Sequence, residues 1–342
     1  MDTKKLGRQT VRFAHPPSIV GYGSAAGHME GQGPLGHCFD FISEDDRFEE
    51  KSWEKTETAM QKQALSFALS KAGIKASLLD YVFAGDLLNQ CIATSYSLRG
   101  ENVPLFGLYG ACSTMAEGLS LSAMLIDGGF ASYTAALTSS HFCSAERQYR
   151  SPLEYGGQKP PTAQWTATGS GAVILSRRGP GPFLTHVTTG KVMDKGITDA
   201  NNMGAAMAPA AYDTIRTHFE ETNRSPDFYD LIVTGDLGSL GAEIVADFFR
   251  SDGVDLHKNY RDCGVLLFNP SRQDVHTGGS GCGCSALVLT GYLLREMSQG
   301  RINHLLFCGT GALHSPISTM QGESIPGICH AVSISTEKEE NL

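Results

Sequence analysis

Cys112 lies in the run LYGACSTMAEG (108–118), where an apolar, strand-like stretch meets glycine, alanine and then a helix-like sequence. A thiol at a helix N-terminus faces unpaired backbone N–H groups and the positive end of the helix dipole. That setting favours the thiolate and makes the sulfur a nucleophile. The flanking Gly110, Ala111 and Ser113 are small enough to let another group approach. A buried, inert cysteine filling a tight turn is the plainer alternative.

Three histidines lie near glycine turns. His276 precedes TGGSGCGCSA, His314 follows GTGAL, and His141 follows the strand after the Cys112 helix. His276 and His314 fall at strand-to-helix or strand-to-loop corners, where α/β proteins place ligands. The amides of Gly309-Thr310-Gly311 offer an anion or oxyanion site, although glycine is equally expected there as turn chemistry. Asp86 and Asp236 end two similar strands, DYVFAGDL (80–87) and DLIVTGDL (230–237). They read either as a carboxylate pair across a pseudo-two-fold or as caps of the turns that follow.

The elements that must position these groups come in two copies. Ser52 caps an expected helix whose apolar positions Met60, Ala64, Phe67 and Ala68 recur at helical spacing, and it leads into DYVFAGDL. Residues 205–221 pattern similarly ahead of DLIVTGDL. GACSTMAEGLSLSAMLIDGG then leads into ASYTAALTSS, and GCGCSALVLTGYLLREMSQG leads into INHLLFCGTGA. Two pairs of copies in the same order indicate a duplicated unit. The halves are expected at 1–180, carrying Cys112, and 181–342, carrying His276 and His314. Alternating strands and helices imply an α/β fold with buried, largely parallel sheets, two of them sandwiching a pair of buried helices. Residues 142–165, polar and punctuated by Pro and Gly, are expected to form a long ordered loop that could cover a site. The tail 335–342 reads as solvated.

Bulk composition narrows the function classes. The 342 residues are 41% hydrophobic and 18% charged, with a net charge of −9. With no basic stripe, that charge argues against nucleic acid or an anionic membrane surface as the main partner. The nine cysteines are odd in number and scattered, and residues 1–12 show no signal-peptide pattern, so free thiols in a reducing compartment are expected. Cys282-x-Cys284 lacks the second pair that a zinc site requires, and no metal or cofactor is expected. No apolar run approaches the ~20 residues of a membrane span.

The duplicated halves, GACSTMAEG, TGSGAVIL (168–175) and GTGA (309–312) resemble the thiolases and β-ketoacyl synthases over residues 11–334. The resemblance implies a thiolase-like duplicated five-layered αβαβα sandwich. It also implies a dimer in which the strand after the nucleophile helix pairs across the two-fold. Cys112 takes the acyl-accepting nucleophile position, and His276 falls where those enzymes carry a catalytic His or Asn. One departure stands out. Where synthases carry His-Gln-Ala-Asn, this chain has TGDLG (234–238), so Gly235 or Asp236 stands in place of histidine. The oxyanion hole and proton relay of a condensing enzyme are then incomplete.

A closer resemblance is carried by QYRSPLEYGGQKPPTAQWTATGSGAV (148–173), DVHTGGSGCGCSA (274–286) and FCGTGALHSP (307–316), which look like the stage V sporulation protein AD family. That family implies a dipicolinic acid-binding, non-catalytic protein. Its members work with other stage V sporulation A membrane proteins, peripherally at the spore inner membrane, to move calcium dipicolinate into the developing spore. Cys112, His276, His314, Gly309 and Gly311 are expected to line the ligand site, with Asp86 nearby and Cys112 as a vestigial nucleophile. The alternative is an active acyltransferase or condensing enzyme using Cys112 covalently.

Overall fold

The computed structural model describes residues 4–149, 159–256 and 258–338. Fourteen strands occur among them. In the first half they are β1 (Thr10–Arg12), β2 (Ser18–Ala26), β3 (Phe41–Ile42), β4 (Tyr81–Gly85), β5 (Leu105–Gly107), β6 (Tyr133–Ser140), β7 (Trp165–Thr166) and β8 (Gly169–Ser176). In the second they are β9 (Phe183–Thr188), β10 (Leu231–Thr234), β11 (Tyr260–Asp262), β12 (Gly279–Ser280), β13 (His304–Ala312) and β14 (Gly327–Ser335). The α-helices are α1 (His28–Gly31), α2 (Trp53–Ala72), α3 (Ile92–Leu98), α4 (Thr114–Asp127), α5 (Phe142–Tyr149), α6 (Met203–Thr222), α7 (Gly238–Ser251), α8 (Cys263–Leu267), α9 (Cys282–Leu287), α10 (Leu294–Ser298) and α11 (Pro316–Met320).

The strands run β11-β10-β13-β14-β9-β2-β8-β6-β4-β5. This path is two five-stranded sheets of matching order, β5-β4-β6-β8-β2 and β11-β10-β13-β14-β9. They are joined through β2 and β9 by the single pair Ser18↔Phe183. Parallel pairing holds among β4, β5 and β6 and among β10, β11 and β13. The inner strands β2, β8, β9 and β14 run antiparallel, so the sheets are mixed rather than largely parallel. β1 crosses over to pair with β9 of the other half, Thr10 lying opposite Thr188.

Helices α4, α9 and α10, with a π-helical segment (Val288–Leu293) between the last two, fill the space between the sheets. The apolar side chains of α4, including Met115, Leu119 and Ile126, are buried there with Leu287, Val288 and Leu293. α2 covers the outer face of the first sheet, and α6 with α7 cover that of the second. The result is the αβαβα layering of a thiolase-like fold. α2 begins at Ser52, whose hydroxyl accepts the Lys55 N–H, and it stops at Gly73 in a left-handed conformation.

Two expectations need correction. β6, the strand after the Cys112 helix, has both edges occupied, by β4 and β8. It therefore cannot pair with a second copy, and β5 is the open edge of the first sheet, as β11 is of the second. Within 142–165, residues Phe142–Tyr149 form α5 rather than loop, because Ser144 and Ala145 turn inward under the α2 side of the sheet. Residues 150–158 of that stretch lie outside the described residues, as does the end of the tail.

Candidate functional site

Cys112 occupies a single 3-10 turn (Ala111–Ser113) that feeds directly into α4. Ala111 holds a φ of +52°, a left-handed conformation that costs strain in a residue bearing a Cβ. The turn is clamped from behind by β13. A Cβ added at Gly309 would come within 2.6 Å of the Ala116 Cβ, and one at Gly311 within 2.8 Å of the Gly110 carbonyl. Both glycines thus let the strand backbone touch the turn, and neither is among the residues lining the cavity. Gly311→Ala is expected to destabilise the fold by about 1–3 kcal/mol in denaturant titrations, since backbone on both sides must yield.

The cavity in front of Cys112 has a volume of about 270 Å³. Its walls are Leu87, Ala145, Ala163, Met203, Ala312 and Leu313, with Tyr109 and Tyr149 as aromatic faces. Polar groups come from Gln164, Thr166, Asn201, Ser280 and His314. Glu146 is the one carboxylate among the described lining residues, and its Oε1 lies 2.9 Å from Lys159 Nζ. The two tyrosine hydroxyls are 3.1 Å apart, and both donate to the Leu87 carbonyl.

The thiol has an unexpected neighbour. Asp236, buried at the end of the strand matching β4, lies close enough to Cys112 for its charge to bear on the thiol, and it accepts from Thr310 Oγ1 (2.7 Å), Ser280 Oγ (3.0 Å) and the Gly281 N–H (2.9 Å). Burial and then the Asp236 carboxylate push the Cys112 thiol well above its usual range, against a smaller opposing pull from the Gly281 N–H. The helix-terminus argument for a thiolate is therefore overridden. Burial, with a nearby carboxylate added to it, outweighs the partial charge of one helix end.

His314 follows β13 into the cavity. Its Nδ1 is buried with no hydrogen-bond partner among the described residues, and burial lowers its pKa, so the ring is neutral at pH 7. Its ring lies 5.7 Å from that of Tyr149. His276 lies elsewhere. Its backbone has a φ of +52°, and Nε2 is 3.7 Å from Asp274 Oδ1, an exposed carboxylate outside the cavity lining. The cause is β12, which pairs with β7 and presents Ser280 in its place. Asp86 is also absent from the lining. It caps the turn after β4, accepting from the Leu88 N–H (2.9 Å), the Thr94 N–H (2.8 Å) and Thr94 Oγ1 (2.7 Å). His141 is likewise turned away, with Nε2 against the Asp46 carbonyl (2.9 Å).

Sequence reasoning passed over Tyr109, Tyr149, Gln164 and Ser280. Tyr109 stands in the quoted turn itself, and Tyr149 and Gln164 belong to the aromatic, polar stretch expected to cover a site. No metal-binding cluster of three His, Cys, Asp or Glu occurs among the described residues, and no described helix is long and apolar enough to cross a membrane.

Comparison with known proteins bears on the fold and on the family. The fold resembles 3-oxoacyl-[acyl-carrier-protein] synthase III from Aquifex aeolicus (TM-score 0.58, 14% identity, 93% of this chain and 99% of that one). It also resembles OleA from Xanthomonas campestris (TM-score 0.62, 13% identity, 95% and 99%). These likenesses speak for the fold alone. In sequence the chain is 46% identical over 330 residues to the stage V sporulation protein AD of Bacillus subtilis (strain 168), covering 96% of this chain and 97% of that protein. The family profile for stage V sporulation protein AD matches residues 7–335. The chain belongs to the stage V sporulation protein AD family.

Proposed function

We infer that this sporulation protein binds dipicolinate in the Cys112 cavity without catalysing a reaction, and that it serves the uptake of dipicolinate or its calcium chelate into the developing spore. The observation that carries the non-catalytic half is the buried Cys112 thiol with Asp236 beside it. A condensing enzyme needs a thiolate, and a buried carboxylate opposes one. A proton moved from thiol to carboxylate would leave a buried thiolate, which burial opposes first of all. Cavity size points the same way. About 270 Å³ lies at the small end of ligand pockets and suits a compact planar molecule better than a long acyl chain.

The chemistry of the walls supports a flat aromatic diacid. Tyr109 and Tyr149 offer faces for stacking, and Asn201 supplies an amide to the lining, whereas Gln164 Nε2 is spent on the Asp236 and Gly279 carbonyls. His314 Nδ1, unpartnered, can donate in the appropriate tautomer. In calorimetry with dipicolinate, His314→Ala and Cys112→Ala are expected to weaken binding about tenfold or more, a loss of one good contact each. His276→Ala should leave affinity unchanged. Unaltered binding in the first two variants would move the site elsewhere. A mass shift on Cys112 after incubation with acyl-CoA would favour the acyltransferase reading instead.

A homodimer through β5 completes the proposal. The Val82 N–H donates to the Pro104 carbonyl and the Leu108 N–H to the Ala84 carbonyl, so even-numbered residues of β5 face β4. The N–H groups of Leu105 and Gly107 then point outward at a sheet edge that carries exposed Leu105 and Phe106. Gly107→Pro, which deletes one outward donor, is expected to shift the protein from dimer to monomer in sedimentation velocity. Attachment to the spore inner membrane would go through the other stage V sporulation A proteins, because no described helix spans a bilayer.

A further inference from the structure

Behind the cavity lies a buried polar chain that the binding chemistry does not use. Glu57, in the second turn of α2, accepts from Ser139 Oγ (2.8 Å) on β6 and Ser144 Oγ (3.2 Å) on α5. Gln61, one turn on, donates to Ser139 Oγ (2.7 Å) and to Thr94 Oγ1 (3.0 Å), and Thr94 in turn donates to Asp86. Ser97 Oγ closes the set on Gln61 Oε1 (2.6 Å). Two carboxyls thus sit at the ends of one hydrogen-bonded relay, and both are buried.

The relay holds two walls of the cavity. Asp86 fixes the turn that places Leu87, while Ser144 belongs to α5, which supplies Ala145, Glu146 and Tyr149. α5 is the weakest of the elements involved. It is eight residues long, and Ser144 and Ala145 are its buried residues. Its other ties lie at its two ends and its rim: the Phe142 N–H on Thr168 Oγ1 (3.0 Å), Gln148 and Tyr149 on the Leu87 carbonyl of the turn that Asp86 fixes, Arg147 with Glu54, Glu146 with Lys159, and Phe142 stacked on Trp165 at 3.8 Å. Short elements with few buried side chains open first.

We propose that α5 is a pH-governed wall of the cavity: with a proton on the Glu57–Asp86 relay the helix stays docked, and with both carboxyls ionised it loosens and opens the cavity. The groups facing Glu57 supply no compensating cation. They are Asp86 beyond β4, the Cys91 thiol ahead of α3, the Cys282 thiol of α9, and His141 at the head of α5. His141 is held neutral by burial and spends Nε2 on the Asp46 carbonyl. The neighbouring Arg147 is engaged by Glu54. Burial followed by the Asp86 charge pushes Glu57 up to about 8, which places the opening just above neutrality. A second buried negative charge without a cation is relieved most readily by admitting water along α5.

The inference rests on the dipicolinate reading only for its ligand leg. Tryptophan emission tests the wall itself in a Trp53→Phe background, where Trp165, stacked on the first residue of α5, is the reporter. The expected result is a sigmoidal change centred near pH 8 that disappears in Glu57→Gln and persists in Glu30→Gln. Ser144→Ala, which cuts α5 from the relay, should flatten it too and serves if Glu57→Gln fails to fold. A flat trace from pH 6 to 9.5, or an unchanged transition in Glu57→Gln and Ser144→Ala, overturns the proposal. In the ligand leg, dipicolinate affinity should fall by up to about tenfold per pH unit above the midpoint and stay level in Glu57→Gln. Absence of dipicolinate binding at every pH, beside an intact fluorescence transition, would remove the ligand reading and support the wall.

Discussion

Asp236→Asn is expected to speed alkylation of Cys112 by iodoacetamide at least tenfold near pH 8. Asparagine keeps the shape of the side chain. Its oxygen can still accept from Ser280 and the Gly281 N–H, and its amide can donate to Thr310 Oγ1, whose hydroxyl is free to rotate. What disappears is the charge against which the thiolate would form. Each unit by which the thiol pKa falls multiplies the thiolate fraction by about ten, until half is ionised. Peptide mapping by mass spectrometry separates Cys112 from Cys38 and Cys143, which are partly exposed and act as internal references. An unchanged rate at Cys112 would mean that burial alone silences the sulfur, and the argument from Asp236 would fail.

Stability should fall steeply as pH rises from about 6.5 to 8. Burial pushes Glu30 and Glu57 each up to about 8 and Asp262 to about 7. In the unfolded chain these carboxyls ionise near 4, so between about 4 and their folded values the folded state holds the extra protons and loses stability as pH rises. The buried histidines act oppositely. His186, His218 and His330 are lowered by burial to about 2, 3 and 4, so the unfolded chain takes up their protons below about 6.5 and stability falls as pH drops. Below about 6.5 the three histidines offset the three carboxyls and the profile flattens. Above it the carboxyls remain, at about 1.4 kcal/mol per pH unit each, with Asp262 dropping out near 7. Urea titrations from pH 5 to 8.5 should show the alkaline fall, and Glu30→Gln should remove about half of the slope between pH 7 and 8. Glu30 is a clean choice because one oxygen accepts the Thr168 N–H (2.9 Å) while the other has no partner among the described residues. A flat profile above pH 6.5 would show these carboxyls ionised in the folded protein.

The architecture was legible because it rests on repetition and periodicity. The apolar positions of α2, the matched DYVFAGDL and DLIVTGDL strands, and the paired Gly/Cys/Ser turns each report local spacing, and the layers follow from burying them. The site was legible only where a residue sits directly on such a turn, as Cys112 and His314 do. His276 escaped because β12, two residues long, is too short to leave a pattern, yet it decides that Ser280 and not the histidine faces the cavity. Asp86 and Asp236 look equivalent in sequence. Their roles diverge because Thr94 offers Asp86 a local cap, whereas the donors around Asp236 come from β13 and from the turn before α9, both distant in the chain. Equivalent letters in a repeat do not specify equivalent partners.

The crossing of β1 into the second sheet bears on how the molecule can be divided. Glu221 of α6 gathers the N–H groups of Arg8 (2.6 Å) and Thr10 (2.7 Å), and Thr10 Oγ1 meets Thr188 Oγ1 at 2.8 Å. Residues 8–12 therefore belong mechanically to the later repeat although they precede the earlier one. The first half thus lends one strand to the sheet of the second. Severing the chain near residue 180 would orphan β1 in one fragment and bare the β9 edge in the other, an invitation to aggregate. Circular permutation that joins the later repeat to the β1 segment is the cut that respects the knot of contacts.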